Sequence, residues 1–279
     1  MIIFKKASDL SKYLENQIKN EKKVGFVPTM GALHQGHISL ILQSNKENDL
    51  TICSIFINPT QFNDKDDFNK YPVTIEDDIH LLELNGCSIL FLPDETEIYP
   101  SNFIKKNYEL GYLEYSLEGI YRPGHYQGVC MVVDSLLSII QCHNLYLGQK
   151  DYQQCKVIGK LIEICKINTR LHITPTVREP NGLAMSSRNR RLSNAEKEHA
   201  GLIFSTMLTI KNQLKEGDLS LIQSNASNTL SNEGFMIDYI EITDLNLNQV
   251  KSWDGKISLI VLVAVVTNHV RLIDNMIIC

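Results

Sequence analysis

The chain has 279 residues, of which 43% are hydrophobic and 21% charged, with a formal net charge of -5 at pH 7. This composition is typical of a globular protein long enough for one large domain or two smaller ones. The acidic balance excludes a general nucleic-acid or bilayer-binding surface, so we expect neither partner.

The cysteines and the apolar segments indicate a cytoplasmic protein. The seven cysteines include no CxxC pair, and free thiols in a reducing compartment fit them best. No signal peptide is recognisable after Met1, and the longest apolar run, residues 257–266, is shorter than the roughly 18 residues that span a bilayer. The adjacent Cys142 and His143 lack a second ligand pair, so we assign no zinc.

The first predicted elements are a helix and then a strand, loop and helix. Residues 8–20 have Leu10, Leu14 and Ile18 on one helical face, and Ser8 is a plausible N-cap. Residues 24–42, VGFVPTMGALHQGHISLIL, begin as an apolar strand, continue through a glycine loop and end with helical apolar spacing.

Two histidines lie in this turn, His34 and His37, in the pattern His-x-Gly-His. The start of a helix presents unpaired N–H groups and a positive dipole end, which favour a phosphate. Two imidazoles three residues apart can donate hydrogen bonds to phosphate oxygens as charge builds up on a leaving group. The alternative is that the pair is a capping or surface feature.

A second apolar run, residues 50–57, predicts a strand buried on both faces, and Asn58-Pro59-Thr60-Gln61 follows it. Polar residues at the carboxyl end of such a strand are typical of a ligand-facing loop. The amides of Asn58 and Gln61 both donate and accept, which suits a small hydroxylated substrate. A plain Asn-Pro turn is the alternative.

The next helix begins near Thr74, which we expect to be its N-cap. Asp77 and Asp78 fall in its first turns, where they either complement the helix dipole or bind Mg²⁺. Residues 87–92 then predict another buried strand. Repeated strand and helix indicate a doubly wound parallel sheet.

The next segments carry further polar turns. Arg122-Pro123-Gly124-His125 offers two anion-binding side chains, and a helix is predicted over residues 129–140. A short strand at 145–147 leads to Gly148-Gln149-Lys150-Asp151 and a following helix. A lysine at a helix start is not favoured by the dipole, which raises the case for a phosphate there.

The sequence changes character near residue 175, where Pro175, Pro180 and Gly182 cluster. We place a domain boundary there, between 1–175 and 176–279. The second part predicts helices at 194–214 and 219–231 and strands at 235–242, 257–266 and 270–274. We expect a Rossmann-like α/β domain followed by a smaller α+β domain that closes over the first as a lid, with a hinge at 175–184.

Seven segments together resemble the pantoate–β-alanine ligase (pantothenate synthetase) family, over nearly the whole chain. The HxGH turn with MSSR is also similar to the wider superfamily of nucleotidylyltransferases and class I aminoacyl-tRNA synthetases. The matching segments are PTMGALHQGH (28–37), SIFINPTQF (54–62), YPVTIEDDI (71–79), YRPGHYQGV (121–129), GQKDYQQCKVI (148–158), REPNGLAMSSRN (178–189) and RLIDN (271–275).

The resemblance implies an ATP-dependent condensation of (R)-pantoate with β-alanine through an acyl adenylate, with Mg²⁺ and a homodimer. It implies that His37, His34, Lys150, Ser186, Ser187 and Arg188 act on the phosphates. The residues implied to contact ATP are Met30, Gly31, Ala32, Leu33, His34, Gln35, Gly36, His37, Gly148, Gln149, Lys150, Asp151, Val177, Met185, Ser186, Ser187 and Arg188. Those implied for the other substrates are Gln61 and Gln154, then Asn58, Arg122 and His125, with Asp77 or Asp78 reaching Mg²⁺.

Gln149 departs from the family pattern, which usually has Glu at this position. If the family residue acts through its backbone, or through a hydrogen bond that Gln can replace, activity would be unchanged. If its charge is needed, Gln149 would reduce activity.

Other hypotheses are a nucleotidylyltransferase that stops at an adenylated product and a nucleotide-binding regulatory module without catalysis. The acidic balance disfavours a tRNA-binding synthetase remnant.

Overall fold

A computed structural model describes residues 1–63 and 68–279. The chain forms two compact units: an N-terminal unit of Met1–Gly148 and Gln153–Pro175, and a C-terminal unit of Gln149–Tyr152 and Thr176–Cys279. Residues 149–152, which the sequence interpretation placed in the first domain, therefore group with the C-terminal unit.

The N-terminal unit is built on a six-stranded parallel sheet in the order β1-β4-β3-β2-β5-β6. Its strands are β1 (Ile2–Phe4), β2 (Val24–Thr29), β3 (Leu50–Ile55), β4 (Ile89–Phe91), β5 (Asn144–Gly148) and β6 (Arg170–Thr174). Its helices are α1 (Ala7–Lys19), α2 (Gln35–Glu47), α3 (Ile75–Leu84), α4 (Glu95–Ile98), α5 (Glu118–Tyr121), α6 (His125–Ile140) and α7 (Tyr152–Ile164). The doubly wound prediction is confirmed.

The strand order reverses between β2 and β5, where Gly25 pairs with Asn144 and Phe26 with Leu145. In open α/β sheets, ligands bind outside the carboxyl ends of the strands at such a switch point. The chain leaves β2 at Thr29 and β5 at Gly148. This edge therefore carries Gly148 and the turn that holds His34 and His37, called the histidine turn below.

The C-terminal unit is α+β, as predicted. A three-stranded antiparallel sheet has the order β11-β10-β8, and β7 pairs with β9. The strands are β7 (Gly217–Asp218), β8 (Met236–Asp244), β9 (Ser252–Trp253), β10 (Leu259–Thr267) and β11 (Val270–Ile277), and the helices are α8 (Asn194–Ala200), α9 (Leu202–Gln213) and α10 (Ser220–Asn232). Apolar residues of α9 and α10 form a core with inward-facing residues of the sheet, such as Val261 and Val263.

Several predicted boundaries were wrong. Helix α1 begins at Ala7 and Ser8 does not cap it, because the Ala7 N–H donates to the Glu97 carboxylate instead. Thr74 is the N-cap residue of α3, but its hydroxyl donates to Asp78 rather than accepting from the helix. The single helix expected at 194–214 is divided at Gly201 into α8 and α9.

The predicted free thiols are largely buried. Cys53, Cys87, Cys130, Cys142 and Cys155 are buried, Cys165 is half-buried and Cys279 is exposed. Burial raises the pKa of Cys130 and Cys142 to about 12, so both remain protonated and poor metal ligands. Within the described residues, no group of three or more His, Cys, Asp or Glu is placed to hold a metal ion, and no helix is long and apolar enough to cross a membrane.

A polar network between α2 and the strands β5 and β6 predicts a pH-dependent stability. The His172 Nε2 lies 2.8 Å from the Asn144 Oδ1, and its Nδ1 lies 3.4 Å from the Glu47 Oε2. The ring stacks on Tyr146. Burial lowers the pKa of His172, against an opposing effect of Glu47. The neutral imidazole is therefore favoured in the folded state, so its contribution to stability is present above the unfolded pKa of about 6.5 and is lost as pH falls through the lower folded value.

We expect the midpoint of thermal unfolding to fall more steeply from pH 7.5 to 5 in the native chain than in His172→Gln. The glutamine keeps a hydrogen-bonding side chain but cannot take up a proton in this range. Thermal melts of both proteins at matched ionic strength measure the difference. Parallel pH profiles would contradict the assignment to His172.

Candidate active site

The histidine turn is positioned by the end of β2 and the start of α2. The hydroxyl of Thr29 donates to the Ser54 carbonyl at 2.7 Å and accepts from the Gly31 N–H at 3.2 Å. Gly31 and Ala32 then have positive φ angles of 82° and 50°. This left-handed turn costs little at glycine but is strained at alanine.

His34 is the N-cap residue of α2. Its Nδ1 accepts from the Gly36 N–H at 3.1 Å, and the Nδ1 of His37 accepts from the His34 N–H at 3.3 Å. The ring centroids are 4.1 Å apart. Capping uses the Nδ1 atom of each ring, so it is compatible with a phosphate role for Nε2.

These two bonds fix the tautomer of both rings. A nitrogen that accepts a hydrogen bond carries no proton, so a neutral imidazole bonded in this way carries its proton on Nε2. His34 and His37 therefore each present an Nε2–H donor on the side of the ring opposite to the helix cap. Two such donors at a helix start are suited to the oxygens of a polyphosphate.

Asp78 holds the turn in place. Its Oδ2 accepts from the Ala32 N–H and its Oδ1 from the Leu33 N–H, both at 2.8 Å, and Thr74 adds a third bond at 3.1 Å. The side chain is 1% exposed. Three of about four acceptor positions of this carboxylate are occupied. The predicted magnesium role for Asp78 disagrees with this geometry, whereas Asp77, one residue earlier, is exposed.

Three of the residues predicted to contact the substrates other than ATP lie within hydrogen-bond distance of Gln61. The Asn58 Nδ2 donates to the Gln61 Oε1 at 3.2 Å, and the Gln61 Nε2 donates towards the sulfur of Met30. His125 Nδ1 lies 2.7 Å from the Gln61 carbonyl, to which Arg122 also donates at 3.4 Å.

Asn58 and His125 are only 1% and 5% exposed. The Asn58 Oδ1 also accepts from Thr60 and from the Tyr99 hydroxyl, both at 2.9 Å. Both side chains are thus occupied in supporting the turn that carries Gln61, and their direct contact with substrate stays a prediction. The turn packs so closely on α6 that a Cβ at Gly128 would lie 2.3 Å from the Thr60 carbonyl.

The structure distinguishes two adjacent glutamines at the start of α7. Gln153 is 3% exposed; its amide donates to the carbonyls of Leu113 and Ser116, and its Oε1 accepts from the Glu118 N–H. Gln154 is half-buried and makes no side-chain hydrogen bond to the residues that the structure describes. Its amide is thus available to a ligand.

The lysine segment, residues 149–151, is a 3₁₀ turn in the C-terminal unit. The Lys150 ammonium lies 3.4 Å from the Asp151 carboxylate, and its side chain is 17% exposed. The Gln149 amide donates to the Asn275 Oδ1 at 3.3 Å. This bond uses an N–H donor that the glutamate expected from the resemblance would lack.

The remaining predicted residues belong to a hairpin and a 3₁₀ turn of the same unit. The Met185 N–H donates to the Val177 carbonyl at 3.0 Å. Ser186 caps the turn Ser187–Arg191, and its hydroxyl accepts from the Arg188 N–H at 3.3 Å. Ser187 is 7% exposed. This local geometry brings the two serines and Arg188 into one short turn.

Sequence reasoning missed two supporting groups. One is the role of Asp78 as the acceptor for the histidine turn. The other is the polar cluster of Arg178, Asp274 and Asn275, in which both Arg178 terminal nitrogens contact the Asp274 carboxylate, at 2.5 and 3.0 Å. The only sequence signal was that these residues lie within the segments TIEDD, REPNG and RLIDN.

A parallel doubly wound sheet, with two histidines at the start of the helix that follows β2, is typical of α/β nucleotide-binding enzymes. The family model described as pantoate-beta-alanine ligase matches residues 2–277. The chain belongs to this family, and it is a ligase.

The relatives are similar over their full lengths. The pantothenate synthetase of Flavobacterium psychrophilum is 40% identical over 278 residues, covering 99% of each chain. The crystal structure of pantothenate synthetase from Thermus thermophilus has a TM-score of 0.91 at 33% identity, covering 100% of this chain and 99% of that one. The enzyme from Francisella tularensis, complexed with beta-gamma ATP and beta-alanine, has a TM-score of 0.85 at 36% identity and covers 100% and 98%.

Proposed function

We propose that this chain condenses (R)-pantoate with β-alanine at the expense of ATP, through a pantoyl adenylate, releasing pantothenate, AMP and pyrophosphate. The match to the ligase family over residues 2–277 carries the proposal. The paired Nε2–H donors of His34 and His37 support it, because they suit the phosphates of the nucleotide.

The chemistry explains why an adenylate is needed. A free carboxylate is a poor acyl donor, because its leaving group would be oxide. Attack of the pantoate carboxylate on the α-phosphorus forms a C–O–P anhydride and releases pyrophosphate. The β-alanine amine then attacks the acyl carbon, and AMP leaves with the electron pair of the broken C–O bond. The enzyme must align these groups and exclude water from the anhydride.

The phosphate roles are divided between the two units. In the N-terminal unit, His37 and His34 donate from Nε2 to the departing pyrophosphate, and residues 30–37 and Gly148 line the nucleotide. In the C-terminal unit, Lys150, Ser186, Ser187 and Arg188 add donors and positive charge. There Gln149, Asp151, Val177 and Met185 complete the proposed ATP contacts, and the unit acts as a lid.

Gln61 and Gln154 are the proposed pantoate ligands. Gln154 has an amide available, and Gln61 is oriented by Asn58 through one bond and held through its main chain by His125. Neutral amides suit the hydroxyl groups of pantoate, since they donate and accept without adding charge.

Mg²⁺ accompanies ATP in this proposal. The exposed Asp77 is the carboxylate of the pair that fits a role near the metal, because Asp78 is buried and bonded to the histidine turn. Bound Mg²⁺ would neutralise phosphate charge. We also propose that the chain is cytoplasmic and forms a homodimer, and light scattering of the purified protein tests the dimer.

The test is release of AMP from ATP, Mg²⁺ and (R)-pantoate, measured with and without β-alanine. Sustained AMP release that requires both substrates is the expected result. AMP release without an amine acceptor would favour a different adenylating enzyme. Bound ATP with no AMP under either condition would favour a regulatory module, and Gln149→Glu would then ask whether the missing charge is the cause.

Replacing Gln61 by alanine should raise the KM for pantoate by about tenfold, the effect of losing one or two hydrogen bonds to substrate. The KM for ATP should change by less than about twofold, because Gln61 is not among the proposed nucleotide contacts. Initial rates with each substrate varied in turn measure both constants. Unchanged pantoate kinetics would remove Gln61 from the substrate site.

A further inference from the structure

Asn275, near the end of β11, holds the lysine segment through three hydrogen bonds of its side-chain amide, which we call the Asn275 clasp. Its Nδ2 donates to the carbonyls of Gln149 and Lys150 at 2.8 and 2.9 Å, and its Oδ1 accepts from the Gln149 amide. The side chain is 2% exposed. One buried amide therefore binds two successive carbonyls and a side chain of a segment about 125 residues away in sequence.

Asn275 is itself fixed by its neighbours. Its N–H donates to the Asp274 Oδ1 at 2.8 Å, and its carbonyl accepts from Arg178 at 3.3 Å. Arg178 is paired with Asp274, bonds the Gly182 carbonyl at 3.0 Å and stacks over the Phe204 ring. The clasp thus rests on a largely buried, hydrogen-bonded cluster, and a well-bonded polar network of this kind favours a single geometry.

We propose that Asn275 is a positioning residue that sets the direction in which Lys150 presents its ammonium group to the ATP phosphates. The inference rests on the proposed function of this segment. Binding the carbonyls on both sides of the Lys150 N–Cα bond fixes the main chain from which the side chain projects. A lysine stem has about four rotatable bonds, so its reach depends on a fixed base.

No other uncharged side chain of this size supplies two N–H donors together with an acceptor. Aspartate at position 275 would place a carboxylate against two carbonyl oxygens. Alanine would remove all three bonds and leave two carbonyls of the segment without this donor. The identity of the residue is thus matched to the task, and Gln149 matches it in turn by donating to Oδ1.

The experiment is a double-mutant cycle of Asn275→Ala and Lys150→Ala, read as kcat/KM for ATP in the AMP-release assay. Asn275→Ala alone should lower this value by about 10- to 100-fold, the range expected for a misplaced catalytic group, while the KM for β-alanine changes by less than about twofold. In the Lys150→Ala background, the same substitution should cost less than about threefold, because the group that it positions is already gone.

Equal losses in both backgrounds, or no loss in the native background, would overturn the inference. If Asn275→Ala does not fold by circular dichroism, Asn275→Ser, which retains one donor, takes its place in the cycle. Asn144→Ala is the matched control: Asn144 is 3% exposed and hydrogen-bonds Asn48 and His172, and none of these three residues is a proposed ligand of ATP or of the other substrates. It should lower the unfolding temperature without changing kcat/KM for ATP beyond about twofold.

The activity of the native enzyme distinguishes failure of the proposed function from failure of the role of Asn275. If it releases no AMP, the proposed function fails and the positioning role fails with it. If it is active and the cycle is additive, the function stands and only the role of Asn275 is wrong.

Discussion

Replacing His37 by alanine should lower the turnover number for AMP release by about 100-fold or more while the protein stays folded. The structure gives the reason: the His37 Nδ1 is occupied by the His34 N–H, so the proton of the neutral ring is on Nε2, directed away from the helix cap. Losing one preorganised donor to a developing charge commonly costs about 10²- to 10³-fold in rate. Single-turnover measurements with saturating ATP isolate this step from product release.

Two variants sharpen this prediction. His37→Asn keeps an N–H donor in a shorter side chain and should recover part of the lost rate. His80→Ala removes an exposed histidine on α3 that has no assigned role, and its turnover should equal that of the native enzyme. Native turnover in His37→Ala would remove His37 from the chemistry.

Asp78→Ala should lower both stability and activity. The carboxylate accepts from two successive main-chain N–H groups of the histidine turn, and a buried donor left without a partner costs about 1–3 kcal/mol. We therefore expect the unfolding temperature to fall by about 5 °C or more. The kcat should also fall by about tenfold, because Ala32 is held at a positive φ just ahead of His34.

The neighbouring carboxylate is the matched control for stability. Asp77 lies on the same first turn of α3 but is exposed, so Asp77→Ala should leave the unfolding temperature within about 1 °C of the native value. Asp78→Asn keeps the shape of the side chain but can accept only through one oxygen, and it should fall between the native protein and Asp78→Ala. Equal unfolding temperatures for Asp77→Ala and Asp78→Ala would contradict this role.

The sequence was sufficient to predict the features that depend on local pattern. Apolar runs predicted β2, β3 and β4, and glycine and histidine spacing predicted the turn into α2. Both edge strands of the six-stranded sheet were missed. β1 has only three residues, and β6 carries exposed Arg170 with half-buried His172, so neither shows the continuous apolar run of a central strand.

The parts of the site that could not be predicted depend on distant partners. Asp78 was interpreted from its place in a helix, whereas its bonding partners lie 45 and 46 residues earlier. The clasp of Asn275 joins residues 125 and 126 positions apart. Composition and periodicity describe residues that are close along the chain. Contacts between residues far apart in sequence can be predicted only once the sheet order is known.

The passage of residues 149–152 through the C-terminal unit limits how the enzyme can be divided. The chain enters that unit at Gln149, leaves after Tyr152 and re-enters at Thr176. A gene fragment ending at residue 175 would therefore encode the lysine segment without the strand that binds it, and the complementary fragment would contain the strand without the lysine. Two polypeptides cut at this boundary would have to reassociate through that segment, so a split enzyme made there would report directly on whether the clasp can form between separate chains.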